Sequence, residues 1–189
     1  MKLRTLFVAM AVAAVSFPAF SADTLTIDSA HTFPNFTINH LGFSTMHGRF
    51  NSTSGTISMD QKANSGSVDV KIVAASIDTG FQKRDDHLRS PDFLNVKEFP
   101  EVTYKSTKVT FQGATNATVE GNLTIAGVSK PVALQVTNIK CGPHPMNKKE
   151  MCGFNGTAKI KRSDWGIKFG LPAIGDDMAI DIEVEAIKG

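Results

Sequence analysis

Five histidines and one dense run of charges are the chain's candidates for chemistry. His31, His40, His47, His87 and His144 are scattered along the sequence. No two stand at i, i+2 or i, i+4, the spacings that put two imidazoles on one strand face or one helix face for a metal ion, so no metal site is expected. His40 and His87 have the strongest functional claim, because each sits among apolar and chain-turning residues. A hydrogen-bonded structural role is the alternative for both. Asp85, Asp86 and Asp92 surround His87 and could supply a general acid or base, but acids clustered around a helix also serve as caps and solvated faces. The chain contains no Gly-x-Ser-x-Gly elbow, Gly-x-Gly-x-x-Gly turn, Walker loop or His-Glu-x-x-His pair, and no catalytic residue is assigned.

The charged run must be positioned by a helix. Thr79-Gly80-Phe81-Gln82 has capping-box spacing, which predicts a short helix over about 80–88 with Thr79 at the N-cap and Gln82 at N3. Ser90-Pro91 ends it. Phe81, Arg84, Asp85 and Leu88 then share one face, at i, i+3, i+4 and i+7. An Arg84–Asp85 pair would pin this helix to a larger body. Alternatively, Arg84 or Arg89 would present its fork of donors to an anionic group.

That larger body reads as all-β. Ile180, Ile182, Val184 and Ala186 alternate with Asp181, Glu183 and Glu185, giving one dry and one wet face. The segments around Val68–Ile72, Val119–Ile125, Val132–Val136 and Phe154–Ile160 repeat the pattern, and Thr24–Ile27, His31–Asn39, Gly48–Met59 and Tyr104–Phe111 add further strands. Eight or nine strands with short connections favour antiparallel pairing. Gly48–Met59, read as one strand of 12 residues, would extend ~40 Å at ~3.3 Å per residue. A sheet so tall should close on itself, which removes its edges, and about eight strands leave an interior either filled by side chains or open to one ligand.

The N-terminus reads as an export signal: Lys2 and Arg4, an apolar run from Leu6 to Val15, then small residues ending at Ala22. The run is about half the ~20 residues needed to span a bilayer, so no integral membrane anchor is expected. Cleavage after Ala22 leaves one domain, 23–189. Lys+Arg then falls from 20 to 18 against 18 Asp+Glu, and a neutral domain has no overall field with which to hold nucleic acid. Export places Cys141 and Cys152 in an oxidising compartment. Their spacing matches neither a redox pair nor a zinc knuckle, so a structural disulfide is expected, clamping the intervening loop and contributing about 2–3 kcal/mol.

Ten of the 13 phenylalanines lie in residues 23–189. Such an interior is either a packed core or the lining of a lipid cavity, and composition does not separate the two.

Four ordered segments resemble the YceI-like family. Phe36-Thr37-Ile38-Asn39-His40-Leu41-Gly42-Phe43-Ser44 is similar to its early motif, continued by Gly48-Arg49-Phe50 and Gly55-Thr56-Ile57. The segment from Arg84 to Leu94 resembles its most specific stretch. Gly121–Ile125 and Gly127–Val132 are similar to its hairpin, and Arg162-Ser163-Asp164-Trp165-Gly166-Ile167 to its closing motif. The resemblance implies an elongated, antiparallel eight-stranded lipocalin-like barrel, described for the family as a periplasmic, polyisoprenoid-binding fold with no assigned reaction and no cofactor. The family hairpin often turns on Asn-Gly. Here Ala126 precedes Gly127, which favours a bulged or II′-like turn over I′. The Cys141/Cys152 loop departs from the core motifs and could alter cavity access.

Together these readings point to noncovalent binding, transport or storage of a long isoprenoid-type or fatty-chain lipid in the periplasm. Phe36, Ile38, Phe43, Phe50, Phe81, Leu88, Phe93, Tyr104, Phe111, Leu123, Ile125, Phe154 and Trp165 are the expected lining. Arg84, His87, Arg89 and His40 are the candidates to meet a polar head. Two rivals stay open: a partner-binding or stress-protective module with a solid core, and an enzyme acting on such a lipid through His87 with Asp85 or Asp92. Self-association into a homodimer is also left open.

Overall fold

The computed structural model describes residues 23–189; the signal reading of residues 1–22 lies outside them. In chain order the elements are β1 (Asp23–Ile27), β2 (Phe33–His40), β3 (Ser44–Phe50), β4 (Thr53–Asp60), β5 (Ser65–Val73), β6 (Ile77–Asp78), α1 (Gln82–Leu88), β7 (Glu101–Phe111), β8 (Ala117–Ile125), β9 (Val128–Pro143), β10 (Glu150–Lys161) and β11 (Ile174–Lys188). Neighbouring strands pair in the order β1-β4-β5-β7-β8-β9-β10-β11, and β11 pairs with β1 to close an eight-stranded antiparallel barrel.

The length of β11 gives the wall its height. Its last residues pair with β1, as in Thr26↔Ile187, while its earlier residues pair with β2, as in Ile180↔Phe36. Strands β2, β3 and β6 thus continue the wall above β1 and β4. Alternation along β11 sends Ile180, Ile182 and Val184 to the interior and leaves Asp181 and Glu183 exposed. Buried clusters line the barrel from Leu25, Ile57 and Ala186 at one end to Ile77, Leu94 and Ile167 at the other.

Three local expectations are corrected. Gly48–Met59 is not one strand: it breaks at Asn51-Ser52 between β3 and β4. Ser76 holds the break, its carbonyl accepting from Asn51 N–H at 3.1 Å and its hydroxyl from Ser52 N–H at 3.1 Å. The barrel's height comes instead from β9 and β11, of 16 and 15 residues. The hairpin between β8 and β9 pairs Ile125 with Val128, and Ala126 (φ 45°) and Gly127 (φ 76°) both lie at positive φ. That is the I′ pattern rather than II′: the two-residue register imposes it even on alanine.

The third correction concerns the helix, which starts at Gln82, with Phe81 at the N-cap and no side-chain cap. Thr79 is otherwise engaged. Its N–H and hydroxyl donate to the buried Asp85 carboxylate, and Arg84 donates through Nε to the Thr79 hydroxyl at 2.7 Å and through Nη2 to its carbonyl at 2.6 Å. Arg84 and Asp85 therefore anchor the helix by meeting on Thr79.

Cys141 lies opposite Cys152 in the β9–β10 ladder, and the two are bonded. The Cys152 side chain packs with Leu25, Ile27 and Ile57 at the end of the barrel away from α1.

Candidate functional site

The interior is hollow. A cavity of about 580 Å³ runs through the barrel, lined from Phe111, Ala117 and Ile139 at one end to His40, Phe81, Arg84 and Phe169 at the other. Both ends of the nine-residue β8 line it, which is about 27 Å of strand, or roughly 20 Å along the axis at a tilt of ~40°. The solid-core rival needed an interior plugged by its own side chains, and this one is not.

Most of the expected lining residues face the cavity: Phe36, Ile38, Phe50, Phe81, Leu88, Phe93, Tyr104, Phe111, Leu123, Ile125, Phe154 and Trp165. Phe43 does not. It follows the Leu41-Gly42 turn at the β2–β3 tip and is 91% exposed. The expected lining left out Met178, Ile180, Ile182 and Val184, which also face the cavity, although the alternation of the last three had marked their dry face. Phe169, from the loop before β11, and Ile174, the first residue of that strand, carried no such signal.

Two features keep the bore open. The Tyr104 ring lies on the backbone of Gly121, where an added Cβ would sit 2.6 Å from the ring. Its hydroxyl donates toward the carbonyls of Val119 at 2.9 Å and Val132 at 3.0 Å. The side chain is thereby laid along the wall, and burial pushes its pKa up to about 12. Trp165 is fixed by Nε1 donating to the Leu123 carbonyl at 3.1 Å.

The polar groups gather at the α1 end. Arg84, His87 and His40 line the mouth. His87 Nε2 lies 2.9 Å from Asp92 Oδ2, with its ring edge-on to Phe93 and Phe169 at 5.0 and 4.9 Å. Arg89 is a correction to the expected head-group set. It stands off the cavity because its guanidinium is spent on the carbonyls of Ala75 and Ile77, each at 2.8 Å, and on Asp86 at 3.0 Å.

Arg162 was not anticipated. It is buried and donates to the carbonyls of Gly175, Ile167, Phe169 and Ile174 at 2.8–3.2 Å, pinning the loop that carries Phe169 to the mouth. Burial lowers its pKa, opposed by the neighbouring Asp176 carboxylate. Away from the cavity, Asp28, His31 and Glu185 bring ligand-type atoms within 4.8 Å of one another on the outer surface. There the Asp28 carboxylate holds the pKa of His31 up, and the hydrogen bond from His31 holds that of Asp28 down.

A closed antiparallel barrel around a long apolar cavity, with Arg84, His87 and His40 at one mouth, defines a lipocalin-like fold. The chain belongs to the YceI-like family, whose domain model matches residues 25–186. A UPF0312 protein of Pseudomonas aeruginosa strain LESB58 is 40% identical over 162 residues, covering 85% of this chain and 84% of that protein. A UPF0312 protein of Shewanella sp. strain ANA-3 is 38% identical over 173 residues, 90% of each chain. Among solved structures, the YceI protein of Campylobacter jejuni superposes with a TM-score of 0.70 at 34% identity, covering 80% of this chain and 90% of that one. A domain of Saccharophagus degradans, described as polyisoprenoid-binding and implicated in plant cell wall breakdown, shares the fold with a TM-score of 0.65 at 17% identity, covering 89% and 100%.

Proposed function

We propose that this protein binds a long-chain isoprenoid-type lipid noncovalently and carries or stores it in the periplasm, after export directed by residues 1–22. The observation behind this reading is the elongated cavity of about 580 Å³. It falls within the 300–1,000 Å³ range of ligand sites, and its shape suits a chain better than a compact guest. Each methylene moved from water into such a lining contributes about 0.8 kcal/mol, so the apolar tail supplies most of the affinity. Arg84, His87 and His40 are the side chains placed to meet a polar head at the mouth. The description of the Saccharophagus degradans domain as polyisoprenoid-binding is in keeping with this choice of guest.

Organic extraction of protein purified under native conditions, followed by mass spectrometry, should release a long-chain lipid in near-stoichiometric amount. Protein that is consistently empty, and that takes up no added polyprenyl lipid, would overturn the reading. Turnover of a prenyl phosphate that disappears in His87→Ala would replace carriage with catalysis.

A further inference from the structure

Six large apolar side chains of the described residues stand exposed, and four of them surround the cavity mouth: Phe43 at 91%, Phe81 at 55%, Leu41 at 49% and Phe169 at 48%. They come from three separate segments that meet at this end. Leu41 N–H donates to the Ala173 carbonyl at 3.0 Å, joining the β2–β3 tip to the loop before β11. Phe169, in that loop, packs edge-on against His87 of α1, and Phe81 stands at the N-cap position of α1. Exposed apolar groups gathered at one end of a domain in this way mark an interaction site rather than scattered surface residues.

The charged side chains around this collar differ in what holds them. Asp86 is paired with Arg89, and Asp92 Oδ2 lies 2.9 Å from His87 Nε2. Lys83 and Lys168 are exposed, and among the described residues neither ammonium group is held by a hydrogen bond or an ion pair. An apolar collar with unengaged lysines at its edge complements the interface of an anionic bilayer, where hydrocarbon lies below a layer of phosphates.

We propose that this rim docks on the surface of an anionic phospholipid membrane. Phe43, Leu41, Phe81 and Phe169 enter the headgroup–acyl boundary, and Lys83 and Lys168 face lipid phosphates, so that the cavity mouth opens onto the membrane. This goes beyond the cargo reading and holds for any guest.

The test is co-sedimentation with vesicles of phosphatidylcholine alone and of equal parts phosphatidylcholine and phosphatidylglycerol. The protein should partition at least about tenfold more strongly onto the mixed vesicles, and added salt should weaken it. Phe43→Ser should cut partitioning about tenfold. Lys83→Glu with Lys168→Glu should remove the preference for the anionic vesicles. All three side chains are exposed, so unchanged thermal unfolding midpoints are expected and confirm that the variants fold. Failure of the protein to bind the mixed vesicles, or variants that partition as it does, would overturn the proposal. So would a homodimer that Phe43→Ser dissociates without any vesicle binding, since the collar's occupant would then be a second copy. Lipid extraction from the same preparations separates the two readings. Empty protein that docks refutes only the cargo, and loaded protein that does not dock refutes only the membrane surface.

Discussion

Tyr104 lies across Gly121, and a single methyl group on that glycine would meet its ring at 2.6 Å. The two belong to paired strands, with Tyr104 opposite Leu123 and Gly121 opposite Ser106, so the ring reaches diagonally over the one position that has no side chain. Glycine inside a strand weakens it and commonly marks the close approach of another group. Here that approach turns a large residue from an obstruction into part of the wall.

Gly121→Ala should therefore lift the Tyr104 ring toward the bore and press on the Lys105 carbonyl, which the new Cβ would meet at 2.7 Å. The expected cost is about 1–3 kcal/mol, as for overpacking of a core, with a fall in lipid loading beyond what the lost stability explains. Thermal unfolding and mass spectrometry of extracted lipid measure the two effects. A variant with normal stability and normal loading would show that the ring and the Lys105 carbonyl both have other room.

Leu123→Glu probes the cavity directly. Leu123 lines the bore, and its carbonyl is engaged by Trp165, so its backbone is fixed and the new carboxyl has to enter the apolar interior. Burying an unpaired polar group costs about 1–3 kcal/mol in proteins, and loading of a hydrocarbon tail should drop to background. Full loading of a folded variant would mean that the guest lies elsewhere.

The I′ turn offers a gain in stability. Ala126 sits at φ 45°, where a Cβ costs roughly 1 kcal/mol, and asparagine occupies this region more readily. Ala126→Asn should raise the unfolding midpoint by about 2–3 °C for a domain of this size. An unchanged or lowered midpoint would show that the turn is already relaxed.

What could be read from residues alone was whatever rests on period and local chemistry. The alternation Ile180-Asp181-Ile182-Glu183-Val184 needs only two faces with different surroundings, and those faces are the cavity and the solvent. The Cys141–Cys152 bond needed only an oxidising compartment and two thiols. The break at Asn51-Ser52 depends on Ser76, 24 residues beyond Ser52, and polar residues in a Thr-rich strand give no local sign of it. The capping box at Thr79 was a sound local pattern that lost to a tertiary one, because the buried Asp85 carboxylate takes both Thr79 donors. Arg89 reads like an anion fork by type. Only the fold shows its donors spent on backbone carbonyls.

The last expectation follows from Asp176, whose carboxylate accepts from Ser163 N–H at 2.9 Å and from the Ser163 hydroxyl at 2.7 Å. It thereby holds the 3₁₀ turn Arg162–Trp165 against the start of β11. These bonds, led by the Ser163 hydroxyl, lower its pKa below the ordinary 3.8. A carboxyl whose folded pKa lies below its unfolded value adds stability above the unfolded value, and that contribution disappears as pH falls through the folded one. The stability difference between the native protein and Asp176→Ala should thus be constant at neutral pH and narrow only as pH drops below about 3.8. Urea unfolding followed by the fluorescence of Trp165, the sole tryptophan, reads both. A difference that narrows well above that value, or one that persists undiminished in strong acid, would mean that Asp176 does not hold the turn as a carboxylate.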